Sequence, residues 1–255
     1  MARFLKHVGC EQCGSSDANG IYDDGSQWCF SCQHLKPSKV SPYVTQPKEE
    51  QTKTIALPLD VTQEYSEDAV KWIVKYITLE QALSNGLLYS AYRNQVIFPF
   101  YDADKHLLAY QARNLSPESK ARRYYTSGDV NGILPVYSSS LNNHVSNGKY
   151  ICSSLTGNSR VLGLVEDCLS AIKVASINGL GIDAMPLLGS GISRVKLSRL
   201  RPFYDVLHVF LDPDMFHKAQ TIAKQAQMLG FHTNIVKAMC DPKEHTEQQL
   251  TELLK

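Results

Sequence analysis

The chain has 255 residues, of which 43% are hydrophobic and 20% charged, with a formal net charge of +1. This composition predicts a folded protein with room for one large domain and one small one. The total charge gives no indication for or against nucleic acid, because a local basic surface can be hidden in the sum. No apolar run approaches the roughly 18 residues that span a bilayer, and the start MARFLKHVGCEQC lacks a signal-peptide core. We therefore expect a cytoplasmic protein with no membrane partner.

Four of the seven cysteines lie in the first 32 residues, as the pairs Cys10-x-x-Cys13 and Cys29-x-x-Cys32, with 15 residues between the pairs. Two such pairs favour a tetrahedral thiolate site over a redox dithiol. We predict one structural Zn²⁺ in a zinc-binding ribbon over residues 1–36. Such a site has no open coordination position, so its metal holds the fold and takes no part in catalysis. The other cysteines are interpreted as buried structural thiols: Cys152, Cys168 and Cys240.

The segment between the two pairs, GSSDANGIYDDGSQW, predicts a hairpin that presents polar and aromatic side chains. Side chains of this kind on a small β-ribbon suit the reading of unstacked bases. Asp24, Ser26 and Trp28 are therefore candidate template-recognition residues. For Trp28 the alternative is packing in the small core of the ribbon.

Residues 37–58 are rich in Pro, Ser, Thr, Lys and Gln, which predicts a flexible linker. Beyond the linker, Ser66 and Thr78 are predicted to begin two short helices, the second through a capping box with Gln81. Both helices belong to a predicted subdomain over residues 59–158.

Strands follow the helices in this subdomain. Asn94–Tyr101 and His106–Arg113 predict two strands joined by a hairpin turn, and a third extended piece is expected from Arg122 to Thr126. From about residue 159 to residue 255, apolar strand-like runs alternate with amphipathic segments. That pattern is typical of a parallel sheet with crossover helices, so the fold class is α/β.

Carboxylates follow the strands of this predicted parallel sheet. Glu166 follows one apolar run, Asp212 and Asp214 follow the next, and Asp241 and Glu244 follow HTNIVKAMC. The carboxyl ends of parallel strands share one edge of the sheet, so these acids are expected to converge. Converging carboxylates repel one another unless a cation neutralises them, and oxygen ligands without histidine favour Mg²⁺ or Mn²⁺.

A cluster of cationic and aromatic residues precedes the parallel sheet. Its members are Arg113, Lys120, Arg122, Arg123, Tyr124 and Tyr125. A solvated loop is the alternative interpretation. Next to a site that binds a metal ion through carboxylates, we favour phosphate binding.

The motifs resemble a known family over nearly the whole chain. VLGLVEDCLSA, FLDPD and CDPKE resemble a TOPRIM domain, and VGCEQCGSSD with DDGSQWCFSC resembles the zinc-binding domain in the primase half of T-seven-type phage primase-helicases. VIFPFYDADKHLLAYQARNLSPESKARRYYTSG resembles the RNA polymerase subdomain shared by phage and bacterial replicative primases. The resemblance implies a two-part RNA polymerase domain whose TOPRIM subdomain covers residues 159–255.

The resemblance also implies roles for individual residues. It implies that Glu166, Asp212 and Asp214 are catalytic and bind Mg²⁺ or Mn²⁺, supported by Asp241. The implied nucleotide- and template-binding residues are Arg113, Lys120, Arg122 and Arg123. The implied activity is the synthesis of short RNA primers on single-stranded DNA from ribonucleoside triphosphates, with a replicative helicase and a DNA polymerase as partners.

Three positions depart from the family pattern. The usual glycine after the TOPRIM glutamate is Asp167, and the usual aspartate four residues after that glutamate is Ser170. In the zinc hairpin, Ser26 stands where the best-known phage member has histidine, so a different recognition trinucleotide is expected.

Two rival interpretations remain open from the sequence. One is a TOPRIM nuclease or topoisomerase-like enzyme, which would not need the zinc module or the polymerase-like middle. The other is a non-catalytic single-stranded-DNA-binding or helicase-loading adaptor with a degenerate TOPRIM domain, which Asp167 and Ser170 motivate.

Overall fold

The computed structural model describes residues 3–37, 55–102, 104–116, 123–130, 132–138, 141–145, 161–177, 179–189 and 191–255. The chain divides into two compact units, residues 1–53 and residues 54–255. None of the helices in the described ranges is long and apolar enough to cross a membrane. The predicted boundaries at residues 36, 58 and 158 stay predictions, and most of the predicted linker lies outside the described residues.

The first unit is a four-stranded antiparallel sheet. Its strands are β1 (Phe4–Val8), β2 (Asn19–Tyr22), β3 (Gln27–Cys29) and β4 (Leu35–Lys36), and they are hydrogen-bonded in chain order. The turn between β2 and β3 is the predicted hairpin, where Gly25 adopts a positive φ of 78° and its N–H donates to the Tyr22 carbonyl. Among the described residues of this unit, the buried hydrophobic side chains are those of Cys10 and Cys29.

The second unit begins with an antiparallel sheet and two helices. The strands are β5 (Val61–Thr62), β6 (Leu88–Ser90), β7 (Gln95–Tyr101), β8 (Leu107–Asn114) and β9 (Tyr124–Gly128), and the helices are α1 (Glu67–Val74) and α2 (Leu79–Ser84). Both predicted caps are present, because Ser66 accepts from the Ala69 N–H and Thr78 forms a capping box with Gln81. Ile55 and Leu57, inside the predicted linker, pack against this sheet.

A six-stranded sheet with crossover helices completes the unit. Its strands are β10 (Val136–Ser138), β11 (Leu141–Val145), β12 (Val161–Val165), β13 (Asp183–Pro186), β14 (Val206–Val209) and β15 (His232–Ile235). Its helices are α3 (Cys168–Ala175), α4 (Arg194–Leu200), α5 (Phe216–Gln227) and α6 (Glu247–Leu254). The spatial order is β11-β10-β13-β12-β14-β15, and β13, β12, β14 and β15 are parallel.

Helices cover both faces of the parallel sheet. On one face α3 and α6 pack in a core that also contains Val96, Phe98 and Phe100 of β7, so the antiparallel sheet and the parallel sheet share this core. On the other face α4 and α5 pack against Leu162 and Leu164 of β12. The predicted α/β class is confirmed: the first unit is a small four-cysteine β-ribbon, and the second contains a parallel sheet with crossover helices.

The strand order determines where a ligand crevice forms. From β12 the chain crosses to β13 on one side and then returns to β14 on the other, so the direction of winding reverses between β12 and β14. In open α/β sheets the crevice lies at such a reversal, at the carboxyl ends of the strands. The residues that follow β12 and β14 therefore border the crevice.

Candidate functional site

The four predicted zinc ligands come together in the first unit. The Cys10 and Cys32 sulfurs are 3.8 Å apart, the Cys13 and Cys29 sulfurs are 3.7 Å apart, and all four lie within 4.8 Å of one another. Tetrahedral coordination with Zn–S bonds of about 2.3 Å requires sulfurs about 3.8 Å apart. The thiol arrangement thus has the dimensions of a zinc site.

Each pair of cysteines lies in a tight turn of the backbone. The Gly14 N–H donates to the Cys10 carbonyl, and the Gln33 N–H donates to the Cys29 carbonyl in the same way. Gly14 and Gln33 both adopt positive φ, 73° and 59°. The equivalent geometry of the two turns directs all four sulfurs to one point.

The protonation of these thiols also indicates a cation. Backbone N–H groups, first that of Cys32, lower the pKa of Cys29 to about 6. At Cys32 the His34 N–H lowers the pKa, but burial and hydrogen bonds from the other three thiols outweigh it and raise the pKa to about 12. Four neighbouring thiolates are unfavourable without a positive ion. Zn²⁺ provides that charge.

The predicted recognition residues lie on and beside the hairpin. Asp24 accepts from the N–H and the hydroxyl of Ser26, at 2.8 and 2.6 Å, and these bonds lower the pKa of Asp24. Trp28 is half-buried and pairs with Gly20 across the sheet. Because side chains of directly paired residues share a face, Trp28 lies on the face of Gly20, where Phe4 and Phe30 are close neighbours and about half exposed. That face is therefore aromatic and partly open, and both interpretations of Trp28 remain possible.

Three of the predicted carboxylates gather at the crevice of the second unit. Glu166 directly follows β12, Asp212 follows β14, and Asp241 follows β15, and all three line one cavity of about 600 Å³. Asp214, the third residue of the predicted catalytic set, lies in a single turn of 3-10 helix, Pro213–Met215, is exposed, and does not line this cavity. Glu244 lines the same cavity.

The acids at the crevice raise one another's pKa values. Burial, a hydrogen bond with the Asp241 carboxyl and the Glu166 charge together raise the pKa of Asp212 to about 7. Burial and the Asp167, Asp241 and Asp214 charges raise the pKa of Glu166 against the opposing effect of Lys243. Such acids release their protons readily only when a cation is present.

The donor set fits a hard divalent cation, because it consists of carboxylate oxygens without sulfur or histidine. Glu166, Asp212 and Asp214 do not bring three oxygens within 4.8 Å of one another. Two groups do so among the described residues, the four cysteines and the exposed turn Asp102, Asp104 and His106. Binding of a divalent ion by these three acids would therefore require rotation of their side chains.

The departure at residue 167 has a structural explanation. Asp167 has an ordinary extended conformation, φ −124° and ψ 167°, so the turn does not require glycine. Its Oδ1 accepts from the Ser170 N–H at 2.9 Å and caps α3. Its Oδ2 accepts from the Lys243 ammonium at 2.6 Å. Ser170, the second departure, is buried in the first turn of α3.

Sequence reasoning missed Lys243. Its ammonium also donates to Asp241 Oδ2 at 2.5 Å, and the side chain is only 13% exposed. Burial alone would lower the pKa of Lys243, but the Asp167 and Asp241 carboxylates raise it well above the usual value. A lysine within CDPKE is visible in the sequence, yet nothing local indicates that it pairs with a residue 76 positions earlier.

The antiparallel part of the unit also contributes residues to the lining of this cavity. Arg113 of β8 and Arg123 are among them, together with Trp72, Tyr76 and Tyr124. The nucleotide- and template-binding role of the two arginines stays a prediction. The Arg113 guanidinium lies 4.8 Å from the Tyr124 ring centroid and 5.6 Å from that of Trp72. Its Nε is buried and has no hydrogen-bond partner in the part of the chain that the structure describes.

Several predicted residues fall elsewhere. Lys120, Arg122 and Cys152 lie outside the described residues. Cys168 is buried in α3, in agreement with its interpretation as a structural thiol, whereas Cys240 is only partly buried. Trp72 and Tyr76, at one end of α1, were not singled out from the sequence, because aromatic residues spaced four apart on a helix are typical of core packing.

Comparison with known proteins finds a short match in sequence to a phage protein. The first relative is the DNA helicase/primase of Enterobacteria phage T3, 57% identical over 35 residues, which are 14% of this chain and 6% of the phage protein. The match thus spans a small part of that relative. No protein-family model matches the chain.

The fold comparison extends over the whole chain. The primase fragment of the bacteriophage T7 primase-helicase superposes with a TM-score of 0.54 and 14% identity, covering 99% of this chain and 98% of that fragment. The chain has a primase fold. The Aquifex aeolicus primase, with its zinc-binding and RNA polymerase domains, gives a TM-score of 0.49 at 19% identity over 74% of this chain and 49% of its own. The fold that the primase resemblance implied is confirmed by the match to the T7 primase fragment.

Proposed function

We propose that the chain is a DNA primase that makes short RNA primers on single-stranded DNA. The observation that carries the proposal is the composition of one cavity, whose lining includes both the acids Glu166, Asp212 and Asp241 and the arginines Arg113 and Arg123. A cavity that contains both acids and guanidinium groups suits a metal-bound triphosphate, since the metal and the arginines can both bind its oxygens.

We assign the catalytic divalent ion to Glu166, Asp212 and Asp214. When bound, Mg²⁺ or Mn²⁺ would supply neutralisation of the triphosphate and activation of the attacking hydroxyl. The raised pKa values of Glu166 and Asp212 support the assignment, because these acids gain most from a neighbouring cation. The structural Zn²⁺ is a separate ion, assigned to the four cysteines of the first unit.

The arginines position the substrate in this scheme. Arg113 lies within cation–π distance of both the Tyr124 and the Trp72 ring, so its fork of donors is oriented before any nucleotide binds. Preorganised donors reduce the entropy lost on binding and direct the α-phosphate toward the primer 3′-hydroxyl. In our proposal Lys120 and Arg122 also bind the nucleotide and the template.

The zinc unit is assigned to the template. Asp24, Ser26 and Trp28 would contact the recognition bases, with the aromatic face supplying stacking surface. Trp28→Ala should weaken template-dependent initiation more than extension of a preformed primer, with Glu11→Gln, at an exposed position beside the metal, as control. Equal losses in initiation and extension would contradict the assignment.

The decisive experiment is synthesis itself. The protein, ribonucleoside triphosphates, Mg²⁺ and a degenerate single-stranded template should yield short RNA products, and Asp212→Asn with Asp214→Asn should abolish them while the zinc content stays unchanged. DNA binding without RNA products would favour the adaptor, and cleavage of the template would favour the nuclease. Because the T3 relative is a helicase/primase, we also propose a replicative helicase as partner.

A further inference from the structure

Lys243 occupies an unusual position at the edge of the acidic crevice. Its ammonium donates to Asp167 at 2.6 Å and to Asp241 at 2.5 Å, and each of the three side chains is less than a quarter exposed. The Tyr76 ring lies on another side of the ammonium, with its centroid 5.9 Å away. Lys243 thus pairs with two carboxylates at once.

Both carboxylates that Lys243 contacts already have a cation as partner. Asp167 uses one oxygen to cap α3 and the other for Lys243. Asp241 uses Oδ2 for Lys243, and its side chain is 24% exposed where it lines the cavity. A metal ion at Asp241 would therefore have to share that carboxylate with the ammonium.

The lysine is itself held in place. Its backbone carbonyl accepts from the Lys173 ammonium at 2.7 Å, which anchors the 3-10 turn Pro242–Glu244 to α3. A buried ammonium with two carboxylate partners and a fixed main chain has little freedom to leave when a divalent ion arrives.

We infer that Lys243 is a resident cation of the crevice, which binds Asp167 and Asp241 in an ion triad and leaves the divalent ion to Glu166, Asp212 and Asp214. Asp241 is then the partner of Lys243 and not a metal ligand. The inference rests on the metal site of the proposed function and specifies its ligands.

Metal binding alone tests the inference, with the full chain in its zinc-loaded form and Mn²⁺ as the probe. Titration followed by calorimetry or by water-proton relaxation gives the Kd. Asp241→Asn with Lys243→Met removes one negative and one positive charge together, so the net charge is that of the unmodified protein. We expect its Kd for Mn²⁺ to stay within about threefold of the original, whereas Asp212→Asn should weaken binding at least about tenfold. Equal weakening in the two variants would overturn the inference.

A second variant changes Asp167, the other carboxylate that pairs with Lys243. Asp167→Asn with Lys243→Met also keeps the net charge, and asparagine still caps α3 through its side-chain oxygen. It releases Asp241, which should then bind Mn²⁺ and tighten the Kd by about threefold or more. An unchanged Kd would show that Lys243 does not keep Asp241 from the metal. Thermal melting of both variants checks that they fold.

This test separates the ligand assignment from the proposed activity. The unmodified protein could make primers while Asp241→Asn with Lys243→Met weakens Mn²⁺ binding as much as Asp212→Asn does. That result would refute the ion triad and support the primase activity. If Mn²⁺ binding follows the expected pattern but no RNA is made, the primase activity is refuted and the ion triad is supported.

Discussion

Removal of zinc should unfold the first unit and leave the second intact. The described part of the first unit buries only two hydrophobic side chains, and both are the cysteines Cys10 and Cys29. A structural zinc site contributes about 10–16 kcal/mol to the folding of a small module. That amount equals or exceeds the total stability of about 5–15 kcal/mol typical of a whole protein. With no apolar core to replace it, the unit has nothing else that outweighs its chain entropy.

Hydrogen exchange read by mass spectrometry measures this directly. After chelation, peptides from residues 3–37 should exchange at the rate of an unprotected chain, whereas peptides from β12, β14 and β15 should keep their protection. Cys29→Ser should have the same effect without a chelator. Cys240→Ser, a thiol outside the cluster, should change neither zinc content nor protection. Residual protection in residues 3–37 of protein shown to be zinc-free would refute the reasoning.

Three further predictions concern the second unit. Because the pKa of Asp212 is raised to about 7, protons compete with the metal below that pH. The affinity for Mn²⁺ should therefore fall by up to about tenfold per pH unit as the pH drops from 7 to 5. A Kd for Mn²⁺ that does not change over this pH range would contradict the prediction. Arg113→Lys should raise the KM for ribonucleotides about tenfold, because lysine lacks the planar fork that lies next to the two aromatic rings. Arg194→Lys, at an exposed position, should leave the KM unchanged. Gly128 has φ of +92°, and an added Cβ would lie 2.5 Å from the Leu108 carbonyl oxygen. Gly128→Ala should therefore lower the free energy of unfolding by roughly 3 kcal/mol. The control Gly179→Ala, whose Cβ meets nothing within 4 Å, should lower it by about 1 kcal/mol. Equal losses for the two variants in denaturant unfolding would show that the contact with the Leu108 carbonyl has no effect.

Much of the fold was predictable because its signals are local. Ser66 and the Thr78–Gln81 capping box identify the first two helices from a few adjacent residues. The alternation of apolar runs with amphipathic segments identifies the parallel sheet. The strand order, with its reversal between β12 and β14, depends on pairing between distant segments, and no local signal encodes it.

The candidate site also contains some residues that could be predicted from local signals and others that could not. The zinc ligands follow from spacing alone, and the strand-end position of Glu166 and Asp212 follows from periodicity. Lys243 could not be predicted, because its partner Asp167 lies on a different strand end and only the folded sheet brings them together. The exposure of Asp214 was also hidden, since it depends on the short helical turn that Pro213 begins.

The distance along the chain between the members of the crevice has a consequence for biosynthesis. Glu166 is made early, but Asp212 follows 46 residues later, and Asp241 and Lys243 lie beyond β15, near the final helix. A nascent chain therefore carries Glu166, Asp167, Asp212 and Asp214 before β15, Asp241 and Lys243 have been made. Because Asp241 and Lys243 are only two residues apart, the growing polypeptide gains the last of these strand-end aspartates together with its internal counterion.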